Sequence, residues 1–321
     1  MRLGQRRGLT DAASTTPARP VLLINPRSGG GKAERYNLVT ECRARGIEPV
    51  VMKEGDDLAS IAAAAVSSGA DVIGMAGGDG SQAIVASVAS GHDLPYVCIP
   101  SGTRNHFALD IGVDRDDVIG ALDAFHHGSE RPIDLGQVNG RVFVNNASIG
   151  LYGEIVQSPE YRDAKLRTVI EMLPEFIGPG GAPFDLRFAE PSGATYDSAQ
   201  VVLVSNNRYQ LDPLGLQGTR GTMDDGTLGV VVVPNALPLG RVREWATPRF
   251  DIDSGASIDV GLDGEAIKLE PPLRFDSLPA ALRIRTPAAR RGRQPPRLKR
   301  TLRSKADVPV GRHRSEGPGR L

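Results

Sequence analysis

The chain has 321 residues, 40% of them hydrophobic, with two cysteines and 38 basic residues set against 38 acidic ones. That length supports two ordinary domains with real cores, and two distant cysteines, Cys42 and Cys98, exclude a disulfide framework or a cysteine metal site and fit a reducing cytosol. The zero net charge hides a division: residues 1–20 carry net +3 and residues 287–321 net +9, which leaves an acidic body of about −12 between them, and no specific nucleic-acid partner is expected of it.

Residues 1–19 carry charge without an apolar run, so they read as a flexible segment and not as a signal peptide. No window approaches the ~18 apolar residues that a membrane-spanning helix needs. From Val21 the chain alternates short apolar runs with amphipathic stretches, the pattern of βαβ units around a parallel sheet. Val21–Asn25 predicts a buried strand, Ala33–Arg45 a helix closed by Gly46, Ile47–Met52 a strand, Asp57–Ser68 a helix and Asp71–Ala76 a strand. A helix over Ser81–Ala89 and a strand over Tyr96–Ile99 follow, and the stretch PSGTRN leads into another helix.

After Asp134 the texture changes to alternating runs between turn residues, in LGQVNGRVFVNNASIG, AQVVLVSNNR, GTLGVVVVP, SIDVGLDGEAIKLE and ALRIRTP. Asn139-Gly140 predicts a type I′ hairpin turn, because both positions need positive φ. A helical segment is expected near Pro159–Ile177 and a loop over GPGGAP at 178–183. The fold class is therefore α/β: an α/β nucleotide-binding domain with a parallel sheet at 20–134, then an antiparallel β-sandwich-like domain at 135–287. A basic tail at 288–321 has too few apolar residues to pack.

Three glycine-bearing loops follow predicted strands: NPRSGGGK at 25–32, GGDGS at 77–81 and PSGTRNHFA at 100–108. Glycine lets main-chain N–H groups approach a phosphate chain without a Cβ clash, and the carboxyl edge of an open α/β sheet is where ligands bind. The first loop is not a P-loop, since Pro26 stands where a P-loop has glycine and Ala33 where it has Ser or Thr. Nor does any loop carry the dinucleotide fingerprint. Taken singly, GGDGS reads equally as a strand-to-helix turn with Asp79 as turn residue and Ser81 as cap. Two such loops on adjacent strand ends favour a shared nucleotide site.

With IDLGQVNGRVFVNNASIG at 133–150, DDGTLGVVVV at 224–233 and LDGE at 262–265, these stretches resemble the diacylglycerol kinase catalytic-domain family of lipid kinases over nearly all of residues 20–287. The resemblance implies an ATP- and Mg²⁺-dependent kinase acting on a hydroxyl of a diacylglycerol-like or sphingoid lipid, with ATP in a cleft between two domains. It assigns the phosphates and Mg²⁺ to Asp79 with Gly77, Gly78, Gly80 and Ser81, and the nucleotide site to Asn25, Ser28, Gly29, Thr103 and Asn105. Glu265 matches the family's general base, a role a carboxylate suits because a lipid hydroxyl is a poor nucleophile. On spacing alone Glu265 is a β-turn residue, Asp-Gly being a turn dipeptide. Asp134 matches an aspartate of the family's interdomain network. Asp225, with the carbonyls of Thr222 and Thr227, matches a second metal site of hard-cation character.

The chain departs from the family at Ser81, where Thr is commoner, and at His106, where Asp is usual. It departs again at Gly30, where some members carry a basic residue; here Lys32 stands two positions on. The alternatives are a catalytically silent nucleotide- or lipid-binding protein of the same fold and an NAD-kinase-like enzyme, although the latter's Thr-Pro-Thr-Gly-Ser-like loop is missing. The basic ends suit peripheral contact of a cytoplasmic protein with an anionic inner-membrane surface, at about 1 kcal/mol per Lys or Arg.

Overall fold

The computed structural model describes residues 17–150, 183–211, 218–234 and 242–288. The helix expected at 159–177, the loop at 178–183 apart from its last residue, and the basic tail beyond Ala288 lie outside the described residues.

The first half alternates strand and helix: β1 (Pro20–Ile24), α1 (Lys32–Arg35), α2 (Leu38–Ala44), β2 (Glu48–Val51), α3 (Leu58–Ser67), β3 (Val72–Ala76), α4 (Asp79–Gly91), β4 (Tyr96–Ile99) and α5 (His106–Asp110). Two short helices, α6 (Val118–Ala121) and α7 (Ala124–His127), lead into the long strand β5 (Gly128–Val138) and then β6 (Arg141–Phe143). Strands β2, β1, β3 and β4 are parallel neighbours. Every residue of β1, β3 and β4 is buried, as expected of strands covered by helices on both faces.

The single helix expected over Ala33–Arg45 is two. Asn37 adopts φ +53° and breaks it between α1 and α2, a conformation that asparagine tolerates better than most residues. Gly46 does close α2, with φ +69° and the Ile47 N–H reaching back to the Cys42 carbonyl at 2.9 Å.

The second half is antiparallel. It comprises β7 (Asn146–Gly150), β8 (Phe188–Ala189), β9 (Thr195–Tyr196), β10 (Val201–Asn206), β11 (Tyr209–Leu211), β12 (Gly218–Arg220), β13 (Leu228–Val233), β14 (Arg243–Thr247), β15 (Arg249–Ile252), β16 (Ile258–Leu262), β17 (Glu265–Leu269) and β18 (Leu273–Pro287). Six of these form a sheet in the order β14-β13-β10-β7-β16-β17. The Asn139-Gly140 turn has φ of +45° and +82° and pairs Val138 with Arg141, the I′ hairpin read from the sequence.

Strand β18 does not stay with the antiparallel half. Its far end inserts between β4 and β5, parallel to the first and antiparallel to the second, which completes the sheet order β2-β1-β3-β4-β18-β5-β6. Its near end pairs with β15. Leu282 and Ile284 of β18 therefore lie in the core of the first half, while Leu273 and Phe275 lie in the core of the sandwich. Strand β5 divides likewise, Ile133 and Leu135 packing in one core and Val138 in the other. Two continuous strands thus run through both cores and set one half against the other. Among the described residues no helix is long and apolar enough to cross a membrane.

Candidate active site

The three glycine-bearing loops leave the carboxyl ends of β1, β3 and β4 and pack main chain against main chain. Gly29 holds φ +58°, and a Cβ there would lie 2.3 Å from the Ser101 carbonyl oxygen. A Cβ on Gly102 would stand 2.5 Å from the Gly78 Cα, so only glycine allows these loops to close on one another. Lys32 Nζ donates to the Gly102 carbonyl at 3.0 Å, so the displaced lysine braces the first loop against the third.

Side-chain amides hold the loops in shape. Asn105, 4% exposed with φ +55°, accepts from Gly102 N–H at 2.8 Å and donates to the carbonyls of Pro100 and Gly102. Gln82 donates to the carbonyls of Met75, Gly77 and Ile99, and Tyr96 Oη donates to its Oε1. Asn25 accepts the Arg27 N–H at 3.1 Å, and its own N–H donates to Ala76 at 2.9 Å. These groups, of which Gln82 and Asn105 are buried, satisfy main-chain atoms that would otherwise be orphaned at the strand ends. By contrast nothing lies within 4 Å of where a Cβ would stand on Gly30, Gly31 or Gly78. There the main chain is open to a ligand.

Asp79 begins α4, and its carboxylate accepts the amides that open the next helix, Phe107 N–H at 3.0 Å and His106 N–H at 3.3 Å. It is half-buried, as are Ser28 and Ser81, while Thr103 is exposed on its loop. His106 is an exposed residue, and partial desolvation lowers its pKa against the pull of the Asp79 charge.

Glu265 comes from the other half. It opens β17 directly after the turn Asp263-Gly264, whose φ values are +48° and +89°. Its exposed carboxylate lies on Gly80: a Cβ there would meet Oε1 at 2.7 Å and Cδ at 3.3 Å. The structure thus brings Glu265 to the residue that follows Asp79. The turn is fastened by Asp263, which accepts the N–H groups of Val144 and Asn145 at 2.8 Å and of Asn146 at 3.0 Å. Burial pushes the Asp263 carboxyl up to about 7 against the pull of these donors, and the Asp79 charge adds to the rise.

Asp134 belongs to a separate cluster. Only 2% exposed, it accepts Gly226 N–H at 2.6 Å and Ala280 N–H at 2.8 Å, and its own N–H donates to the Met223 carbonyl at 2.7 Å. It ties β5 directly to the 222–227 turn and to the bulge in β18. In that turn Asp225 and Thr222 are exposed, Asp225 N–H donates to Asn207 Oδ1 at 3.0 Å, and the Thr227 carbonyl accepts Asn207 N–H at 3.1 Å. Gln82 and Asp263 were not singled out from the sequence. Gln82 directly follows GGDGS and Asp263 stands inside LDGE, yet only their three-dimensional partners reveal what they hold.

A family model described as the diacylglycerol kinase catalytic domain matches residues 19–138. A Pseudomonas aeruginosa protein named "Probable lipid kinase YegS-like" is 28% identical over 306 residues, covering 86% of this chain and 97% of that one. A diacylglycerol kinase of Bacillus subtilis is 38% identical over 109 residues, 33% of this chain and 35% of that one. A crystal structure of a diacylglycerol kinase from Bacillus anthracis superposes with a TM-score of 0.61 at 19% identity, covering 86% of this chain and 99% of that one; at that identity the likeness is one of fold. Residues 19–138, which hold all three glycine-bearing loops, thus match the diacylglycerol kinase catalytic domain.

Proposed function

We propose that the chain transfers the γ-phosphoryl group of ATP, with Mg²⁺, to a hydroxyl of a diacylglycerol-like or sphingoid lipid. The observation that carries this is the seating of the Glu265 carboxylate on Gly80, beside Asp79 and across the open main chain of the glycine loops. The uncovered sides of Gly30, Gly31 and Gly78 fit a polyphosphate, because its oxygens need close main-chain approach. Asp79 would hold the metal and phosphate end, with Ser81 and the glycines Gly77, Gly78 and Gly80 beside it. Asn25, Ser28, Gly29, Thr103 and Asn105 shape the nucleotide side, the two asparagines by fixing loop conformation. The Thr222, Asp225 and Thr227 turn is a candidate for a second Mg²⁺, and Asp134 locks that turn to β5. The cation, when bound, supplies charge neutralisation for the phosphoryl oxygens.

Glu265 takes the proton of the lipid hydroxyl as its oxygen bonds to the γ-phosphorus, and the bond from that phosphorus to the bridging β-phosphate oxygen breaks, leaving ADP. A division into domains at 20–134 and 135–287 would set the phosphate loops on one side of the ATP cleft and the base on the other. The basic ends favour peripheral docking of the acidic body on an anionic membrane, where the lipid substrate resides.

The test is to incubate the purified chain with labelled ATP and Mg²⁺ and a panel of dispersed lipids, with Asp79→Asn and Glu265→Gln alongside. Label in a lipid product is expected from the unsubstituted chain, with about 10²–10⁴-fold less from Glu265→Gln. Absence of transfer to every lipid while ATP still binds would refute the kinase assignment. Transfer that survives Asp79→Asn would refute the site.

A further inference from the structure

We infer that Arg220 is a positioning residue that fixes the Asp79–Glu265 juxtaposition across the two halves; this rests on the proposed function. Its guanidinium is fully buried and pairs with Asp110, itself 4% exposed, through Nε at 2.9 Å and through Nη2. The Arg220 main-chain N–H adds a bond to the other Asp110 oxygen at 3.2 Å. On its far side the same guanidinium donates to the carbonyls of Val144 at 2.6 Å and Asn206 at 2.9 Å and to Asn145 Oδ1 at 2.7 Å, and it lies 5.5 Å from the Tyr209 ring centroid.

These contacts close a ring. Asp79 holds the first amides of α5, and Asp110 ends that helix. Arg220 joins Asp110 to the carbonyl side of the corner at Val144 and Asn145. Asp263 grips the N–H side of that corner and delivers, two residues on, Glu265 to Gly80. Gly80 is the neighbour of Asp79. Every link but the last, the non-bonded approach of Glu265 to Gly80, is a directed hydrogen bond or a main-chain step, so the separation of the two carboxylates follows from Arg220 spanning α5 and the Val144–Asn145 corner between β6 and β7. A buried ion pair is weak evidence for net stability, since apolar replacements of both partners are often neutral or better. What it provides is geometry, because the planar fork meets several acceptors in fixed directions.

The experiment compares the unsubstituted chain with Arg220→Lys, Arg220→Met and the double variant Asp110→Leu/Arg220→Met. Steady-state transfer from ATP to the lipid found in the panel assay is measured below each variant's unfolding midpoint. Amide hydrogen exchange is followed at His106, Phe107 and Val144–Asn146 in the same samples. The double variant leaves no charge stranded and keeps the test readable where Arg220→Met alone fails to fold. The expected result is a kcat lower by about 10–100-fold with KM for ATP within about threefold, because a misplacement near 1 Å has that effect. Arg220→Lys is expected to recover part of the loss, and exchange at both amide groups to quicken about tenfold while β1 and β3 stay protected. A kcat within about twofold of the unsubstituted chain, a rise in KM alone, or faster exchange at Val144–Asn146 with His106 and Phe107 unchanged would each overturn the inference. Should the unsubstituted chain transfer phosphate to no lipid, the proposed function fails while the exchange comparison still decides whether Arg220 couples α5 to the corner.

Discussion

Gly80→Ala separates the chemistry of this site from its stability. Gly80 is the second residue of α4 and has no positive φ, so alanine fits the backbone and favours the helix by up to about 1 kcal/mol. The new methyl would sit 2.7 Å from Glu265 Oε1, 3.3 Å from Cδ and 3.4 Å from Cγ. An ordinary contact for such a pair is about 3.4–4 Å, so the carboxylate must retreat by roughly 0.7 Å. The atom that moves is the far end of an exposed, flexible side chain, and the fold yields there without repacking. The expected outcome is an unfolding midpoint unchanged or raised by about 2–4 °C, with kcat for phosphoryl transfer lower by about 10–100-fold. Thermal unfolding followed by circular dichroism and a radiolabel assay on the same sample measure the two. Full turnover in a folded Gly80→Ala protein would refute the reasoning, since Glu265 would then not act from the position against Gly80.

Asp134→Ala should act in the opposite sense. It takes the acceptor from the part-buried N–H groups of Gly226 and Ala280, at up to about 1–3 kcal/mol each, so chemical denaturation should show a loss of stability whether or not the chain is active. Asp263→Asn bears on pH. The folded carboxyl titrates near 7, above the about 3.9 of an unfolded aspartate, so its protonation favours the fold. That contribution is complete below about pH 4 and is lost as pH rises through about 7. Asparagine keeps the Oδ1 acceptor for Asn145 and Asn146 but sets an NH₂ against Val144 N–H. The variant should be less stable near pH 4, by a margin that shrinks as pH rises to 7, so that its profile is flatter in parallel denaturant melts; an unchanged slope would show that Asp263 does not titrate there.

The elements legible in the sequence are those that local chain chemistry decides. Apolar runs too short for helices became the buried strands β1, β3 and β4, Asn139-Gly140 became the I′ turn because both residues accept positive φ, and the glycine loops fell at strand ends because a parallel strand must turn there into a helix. Asn37 shows where such inference stops: the amphipathic pattern runs on through it, and one left-handed residue cuts the helix in two. The candidate residues of the loops and of LDGE were visible as types and spacings.

Their arrangement was not. The approach of Glu265 to Gly80 joins positions 185 residues apart, Arg220 meets Asp110 across 110 residues, and Asp263 grips a corner over 100 residues upstream. No local pattern in the chain marks such partners, since a buried arginine and a surface one are the same letter, and the environment that separates them is assembled only when strands pack. Strand β18 is the clearest case. Its composition is that of an antiparallel strand, yet it enters the first sheet between β4 and β5, because an open sheet edge finds hydrogen-bond partners wherever the chain can reach, and that reach is decided by the packing of both cores together.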